Sequence, residues 1–281
     1  MLKRSTICSI VLVLLLAPLF RAAAAPGGGA AVGTVPTLLA SSGKQNGAYE
    51  ECTLGDALAD AMTRHTEAEI ALVNGGRLKG NILQGPVTEA DIAEAVEDCE
   101  VAVVTVSAGD LRAMLEICLS HVVTDGKGGY DADASAGPLF PQISGFRVTY
   151  DPSAEPMARV SRLTVGDGKT EEDAGRMLKL ALPLPLCEGE LAAFCSGAAG
   201  TGETLLSLLK TYIASGMDDY YTPPKRIVPQ GIRSSIFPDR YAVFTLVAVC
   251  VLFLILLLPL GKKLHLLGKK KDSSKGETSD P

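Results

Sequence analysis

Residues 241–260 form a run of twenty positions without one charged side chain. As a helix, such a run is long enough to cross a hydrocarbon layer of about 30 Å. Arg240 precedes it, and Lys262, Lys263, Lys269, Lys270 and Lys271 follow. Cations are retained on the cytoplasmic side, so the pattern predicts one transmembrane helix with residues 261–281 as a basic cytoplasmic tail. A glycolipid-anchor signal is the rival reading. Such signals end in their apolar stretch, whereas this chain continues through a lysine-rich extension to Pro281. Membrane lipid is therefore the partner expected at 241–260, with the lysines lying at anionic headgroups.

The other end is also apolar. Lys3 and Arg4, the run 7–20 and Ala22-Ala23-Ala24 have the three parts of a secretory signal, so residues 1–24 are expected to be removed. A retained signal-anchor is the alternative, since Arg21 interrupts the boundary. The expected product is a single-pass protein of the cell membrane with its bulk outside the cytoplasm. Residues 25–36 read as a glycine-rich leader with little to pack, and 37–235 as the folded domain. Of the chain's 26 basic and 32 acidic residues, three basic ones lie before residue 25, and six lysines with three acids lie after residue 260. The remainder, with 17 basic and 29 acidic residues, has a net charge of −12. A domain so acidic, without Trp, is not a nucleic-acid binder, and any anion site in it must act locally.

Within that domain the stretch 69–95 is the most informative. Ile70, Leu72 and Val73 form a short buried-strand signal that Asn74-Gly75-Gly76 ends. Arg77 and Lys79 follow at once, so the turn brings backbone N–H groups and positive charge together, as a phosphate or carboxylate site requires. An ordinary strand-ending turn with solvated cations is the plainer reading. Thr88 with Asp91 then predicts a capped helix to Val96, and Ser107 with Asp110 another. The second helix carries the stripe Leu111, Met114, Leu115, Cys118, Leu119 and Val122. An earlier helix over 51–62 has Leu54, Leu58, Ala61 and Met62 on one side, with Asp56 and Asp60 expected on a wet face.

Residues 101–106, 146–150 and 160–165 read as strands, and 37–40 as a short edge strand. Residues 177–186, punctuated by Pro183 and Pro185, read as an edge strand or a strand that ends early. A helix is expected over 203–214 and a closing strand within 222–235. Strands and helices intermix, which predicts an α/β or α+β class with a mixed sheet and flanking helices. The loop 124–137 holds Asp125, Asp131 and Asp133 without calcium-loop spacing. The five cysteines of the domain are Cys52, Cys99, Cys118, Cys187 and Cys195, with neither zinc nor CxxC spacing. Cys118 falls on a core stripe, and Cys187 with Cys195 could close a short loop. His65 and His121 sit near helix C-termini, and the sequence has no nucleophile elbow, HExxH or P-loop. No catalytic residue, metal or cofactor is expected, and the residues alone point to a binding or interaction domain.

Several blocks resemble one family in order and spacing. ECTLGDALADAM (51–62), ALVNGGRLK (71–79), GPVTEADIAEA (85–95), VAVVTVSAGDLRAML (101–115) and above all FPQISGFRVTYD (140–151) are similar to the C-terminal domain of 5′-nucleotidases. The resemblance covers about 37–234 and implies that family's fold. It also implies a nucleotide-binding role, with metals and most catalytic groups supplied by a separate N-terminal metallophosphatase domain. Hydrolysis by this chain alone is not expected. Asn74 matches the family's N-G-G-G-hydrophobic-R turn, Lys79 stands for its arginine, and Arg77 for its third glycine. By resemblance Asn74, Arg77 and Lys79 are the substrate-binding candidates. The family's two base-stacking rings correspond to Glu97-Asp98-Cys99-Glu100 and to Cys187-Glu188-Gly189-Glu190-Leu191, where neither ring is present. The expected partners are a nucleotide or phosphate ligand and either a separate metallophosphatase or another surface protein.

Overall fold

The computed structural model describes residues 29–42, 46–135, 137–166, 173–218, 221 and 223–232. The expected signal (1–24), transmembrane run (241–260) and tail (261–281) lie outside them. Among the described residues no helix is long and apolar enough to cross a membrane.

The frame is a five-stranded sheet in the order β5-β2-β8-β4-β9. Its members are β2 (Ile70–Asn74), β4 (Glu100–Ser107), β5 (Pro141–Ser144), β8 (Met177–Pro183) and β9 (Ala199–Thr204). β2 and β8 run parallel, while the other pairs are antiparallel. A second sheet has β6 (Phe146–Tyr150) between β10 (Ile227–Pro229) and β7 (Val160–Val165). A third pairs β1 (Ala31–Val35) with β3 (Gly85–Thr88). The main sheet is mixed, as expected.

Alternation along the strands separates two cores. Ile70, Leu72, Val104, Val106, Leu178 and Leu180 enter one, which is closed by helix α3 (Ala108–Leu119) and the inner face of β6 and β7. Ala71, Val73, Val101 and Ala181 enter the other. That side is closed by α1 (Thr53–His65), α2 (Glu89–Ala95) and α5 (Leu205–Ala214). Each such Leu, Ile or Val contributes about 1.5–3 kcal/mol on burial. The helix starts are set by side chains. Asp91 N–H donates to Thr88 Oγ1 (3.3 Å) and Asp110 N–H to Ser107 Oγ (3.0 Å), each returned by the carboxylate, and Thr204 with Ser207 caps α5 likewise. Every residue of the α3 stripe is buried.

Three expectations need correction. Of the two readings of residues 177–186 the edge strand is wrong, since β8 is the middle strand, and the early end is right, since β8 stops at Pro183, whose missing N–H suits a strand end. Within the expected leader 25–36, residues 31–35 are more than leader, because β1 pairs with β3 and Val35 is fully buried. Residues 37–40 form only a single bridge, between Leu39 and Ile82.

Gly145 joins β5 to β6 with φ +81°, and a Cβ there would lie 2.3 Å from the Glu69 carbonyl oxygen. Strain and overlap both forbid a side chain. Gly145→Ala is expected to destabilise the domain by about 2–4 kcal/mol, read as a lower denaturant midpoint at unchanged slope.

Candidate functional site

β2 and β8 are hydrogen-bonded neighbours running in the same direction, so the segments leaving their carboxyl ends emerge side by side. In open α/β sheets this is where ligands are received. β2 leads into the turn Gly75–Arg77, and β8 into the short helix α4 (Leu184–Glu188).

The turn is more internally committed than its sequence suggests. Gly75 N–H donates to the Phe140 carbonyl (2.7 Å) and Gly76 N–H to the Pro138 carbonyl (3.0 Å), so neither is offered to an anion. Both glycines are required by the protein's own backbone. A Cβ on Gly75 would stand 1.7 Å from Gly47 O, and one on Gly76 2.7 Å from Pro138 Cβ. Asn74 is buried and its Nδ2 donates to Pro138 O (2.9 Å), while its Oδ1 is buried without a hydrogen-bond partner.

Arg77 and Lys79 do come together, on Glu97. Arg77 Nη1 lies 2.7 Å from Glu97 Oε1, and Lys79 Nζ pairs with the other carboxylate oxygen. The backbone fixes the meeting: Glu97 N–H donates to Arg77 O (2.7 Å) and Lys79 N–H to Ala95 O (2.8 Å). The Lys79 hydrogen bond and charge, then Arg77, hold the Glu97 carboxyl below its ordinary value. Two cations on one acid leave one positive charge in excess. Sequence reading places Glu97 in the site's neighbourhood, but the backbone pairing that delivers it there has no pattern of its own.

A second cluster departs from expectation. Asp56 is only 4% exposed, and Asp60 half-buried, so they do not form a wet face. Gly55, Ala57, Ala59 and Ala61 make α1 small and apolar around most of its girth, which was the available signal of a buried helix. The acids face Arg226. Its Nη2 donates to Asp60 Oδ2 (2.8 Å), its Nη1 lies 3.7 Å from Asp56 Oδ1 and donates to Ile143 O (2.8 Å). Tyr221 OH and Ser144 Oγ also donate to Asp60, each at 2.6 Å. Glu51 accepts from the N–H groups of Arg226 (2.6 Å) and Ile227 (3.2 Å). Burial first, then the Glu51 charge, push Asp56 well above its ordinary value against the pull of Arg226, and a hydrogen bond links the two carboxyls. The cluster borders a cleft of about 480 Å³ lined by Asp60, Thr63, Arg64, Tyr212, Tyr221 and Arg226 among the described residues. Among those residues no three His, Cys, Asp or Glu side chains are placed to hold a metal ion.

The fold is that of a mixed α/β domain with flanking helices, and its candidate site lies at the carboxyl edge of two parallel strands. Residues 31–176 match the model of the 5′-nucleotidase C-terminal domain, and the chain belongs to that family. An apyrase of Aedes albopictus is 29% identical over 153 residues, 50% of this chain and 25% of that protein. A 5′-nucleotidase precursor from Thermus thermophilus superposes with a TM-score of 0.59 at 19% identity, over 80% of this chain and 43% of that one. The NAD nucleotidase of Haemophilus influenzae does so at 0.58 and 13%, over 71% and 38%. The chain thus spans a quarter of the curated relative and about two-fifths of these structures.

In the folded protein Asp56 holds its proton more tightly than in the unfolded chain. Its contribution to stability is therefore full below the unfolded value, about 3.9, and is lost as pH rises through the raised folded value. Urea midpoints are expected to fall as pH rises above about 4, and Asp56→Asn to flatten that fall. Some slope should remain, because burial also raises Glu51.

Proposed function

We propose that this chain is a membrane-anchored, extracytoplasmic 5′-nucleotidase C-terminal-like domain that acts as a ligand-binding or interaction module. Its family links it to nucleotide breakdown, and the hydrolytic step belongs to other groups than those of this domain. The anchoring rests on the sequence of 241–260. The supporting observation for the binding role is the convergence of Arg77 and Lys79 on one carboxylate, at the edge where β2 and β8 end. Glu97 stands where an incoming anion would make its contacts, so a ligand must displace it from both cations. Exposed ion pairs are weakened by solvent screening, and the exchange is within reach of a small anion.

Neither segment that the resemblance aligns with the base-stacking rings carries an aromatic side chain. The first ring position implied by the resemblance is the acidic segment Glu97–Glu100, and Leu191 of the second segment is fully buried. Base stacking contributes about 1–3 kcal/mol per ring, so AMP has little to gain over phosphate. A second reading, a substrate-binding subunit completed by a separate metallophosphatase, is favoured by one detail. Asn74 Oδ1, three residues before Arg77, is a buried acceptor without a hydrogen-bond partner, an unmet bond of the kind a bound group would satisfy.

Calorimetric titration of the full-length chain with inorganic phosphate and AMP distinguishes the two. Glu97→Gln is expected to tighten phosphate binding by about two- to fivefold, and Lys79→Ala to abolish that gain. AMP should bind within a few-fold of phosphate. Micromolar AMP binding with weak phosphate binding would support the subunit reading, and no change in Glu97→Gln would remove Glu97 as the competitor.

A further inference from the structure

Cys187 lies in α4 and Cys195 ends the next helical turn, eight positions on. The chain between them folds back on itself. Leu191 N–H donates to Leu186 O (3.2 Å), Ala192 N–H to Gly189 O (3.1 Å) and Cys195 N–H to Ala192 O (3.2 Å). Leu186 and Leu191 pin this loop to the core on either side of the reversal. The outcome is that the two thiols lie within hydrogen-bond reach of each other, Cys195 buried and Cys187 half-buried. Cys118, in contrast, is enclosed in the α3 stripe, where burial pushes its thiol up to about 12.

We propose that Cys187 and Cys195 are a redox-responsive pair that closes to an intrachain disulfide by exchange with a low-molecular-weight disulfide. Cys187, the more accessible, loses its proton and attacks one sulfur of the reagent, forming a mixed disulfide and expelling one thiolate. Cys195 then loses its proton and attacks Cys187 Sγ, expelling the second. Two protein thiols are oxidised by two electrons, one reagent disulfide is reduced, and both protons end on the released thiols. Burial and the adjoining Cys195 thiol push Cys187 up to about 12. Thiolate is therefore scarce near neutrality, and closure accelerates as pH rises, approaching about tenfold per unit.

The bond would staple the loop that leaves β8, beside the turn that leaves β2. It stands independently of the anion site, and either can fail alone. Closure of so short a loop restrains mainly the open chain, so its effect should appear as resistance to local opening.

The test uses the full-length chain, reduced, desalted and incubated with oxidised glutathione between about pH 7 and 9. Free thiols are then alkylated, and the protein is cleaved by a Glu-specific protease, which cuts after Glu188 and Glu190 and so separates the two cysteines unless they are cross-linked. The expected product is a Cys187–Cys195 linked peptide, formed faster at higher pH, reversed by dithiothreitol, and accompanied by slower cleavage of the folded loop. Cys195→Ser should stop at a glutathione adduct on Cys187, the uncapped first intermediate. A wild-type chain that accumulates that adduct without closing overturns the proposal. So does a cross-link from either cysteine to Cys52, Cys99 or Cys118, or full alkylation of both under these conditions.

Discussion

Strand β2 has no wet side. Ile70 and Leu72 enter the core under α3, Ala71 and Val73 the core under α1, and all five residues of the strand are buried. A strand in this position needs hydrogen-bonding neighbours on both edges and apolar layers on both faces. β5 and β8 supply the edges; α1 with α5, and α3 with the smaller sheet, supply the layers. Where β2 ends, the chain must leave a crowded layer within two residues. Gly75 and Gly76 permit that exit because Gly47 and Pro138 already fill the space a side chain would use. The cations that follow reach the surface at the carboxyl edge as a consequence of this packing, and the candidate site is a product of the core.

Two clusters of opposite charge have different physical standing. Arg226 is bound by Asp60 and Asp56, and its backbone by Glu51, across the junction of α1 with the closing strand. Removing one member of such a buried set costs about 3–5 kcal/mol, mostly because the remaining charges are left uncompensated in low dielectric. That cluster is a lock. Arg77, Lys79 and Glu97 meet at the surface, where Arg77 is 18% exposed in its side chain but Glu97 44% and Lys79 54%, so solvent screens the carboxylate's hold on both cations. Groups held so lightly can exchange partners, which is why the binding role is assigned to the weaker cluster.

What could be read from the sequence followed the range of the interaction. Capping boxes and helical stripes are local: α2 and α5 lie within two residues of the expected spans, and α3 starts at its expected cap and ends three residues before Val122. Strands β3 and β9 were invisible because GPVT and AGTGET carry no alternation; β9 exists as the free-edge partner of β4, with Gly200 facing Glu100. Asp56 and Asp60 looked solvated because their counter-ion is Arg226, far along the chain. The turn's N–H groups looked available because their acceptors, Pro138 and Phe140, arrive from another segment. That Arg77 and Lys79 are neighbours is legible in their spacing, but Glu97, which decides what they can bind, enters through backbone bonds to Arg77 and from Lys79 to Ala95.

The net acidity of the domain narrows what those cations can receive. Long-range repulsion disfavours polyanions, while at physiological ionic strength fields are screened beyond about 8 Å. A ligand at Arg77 and Lys79 therefore experiences a local excess of one positive charge, reached only on contact. Glu97 demonstrates that a single carboxylate satisfies both cations at once, one oxygen to each. The same two contacts are open to a phosphate oxygen pair or to an acidic side chain of a partner, since neither requires the stacking ring that these segments do not offer. Discrimination between such ligands must then come from what lies next to the cations. In this fold that is the segment Ala95–Glu97, tied through its backbone to Arg77 and Lys79, so the acid that competes for the site also shapes it.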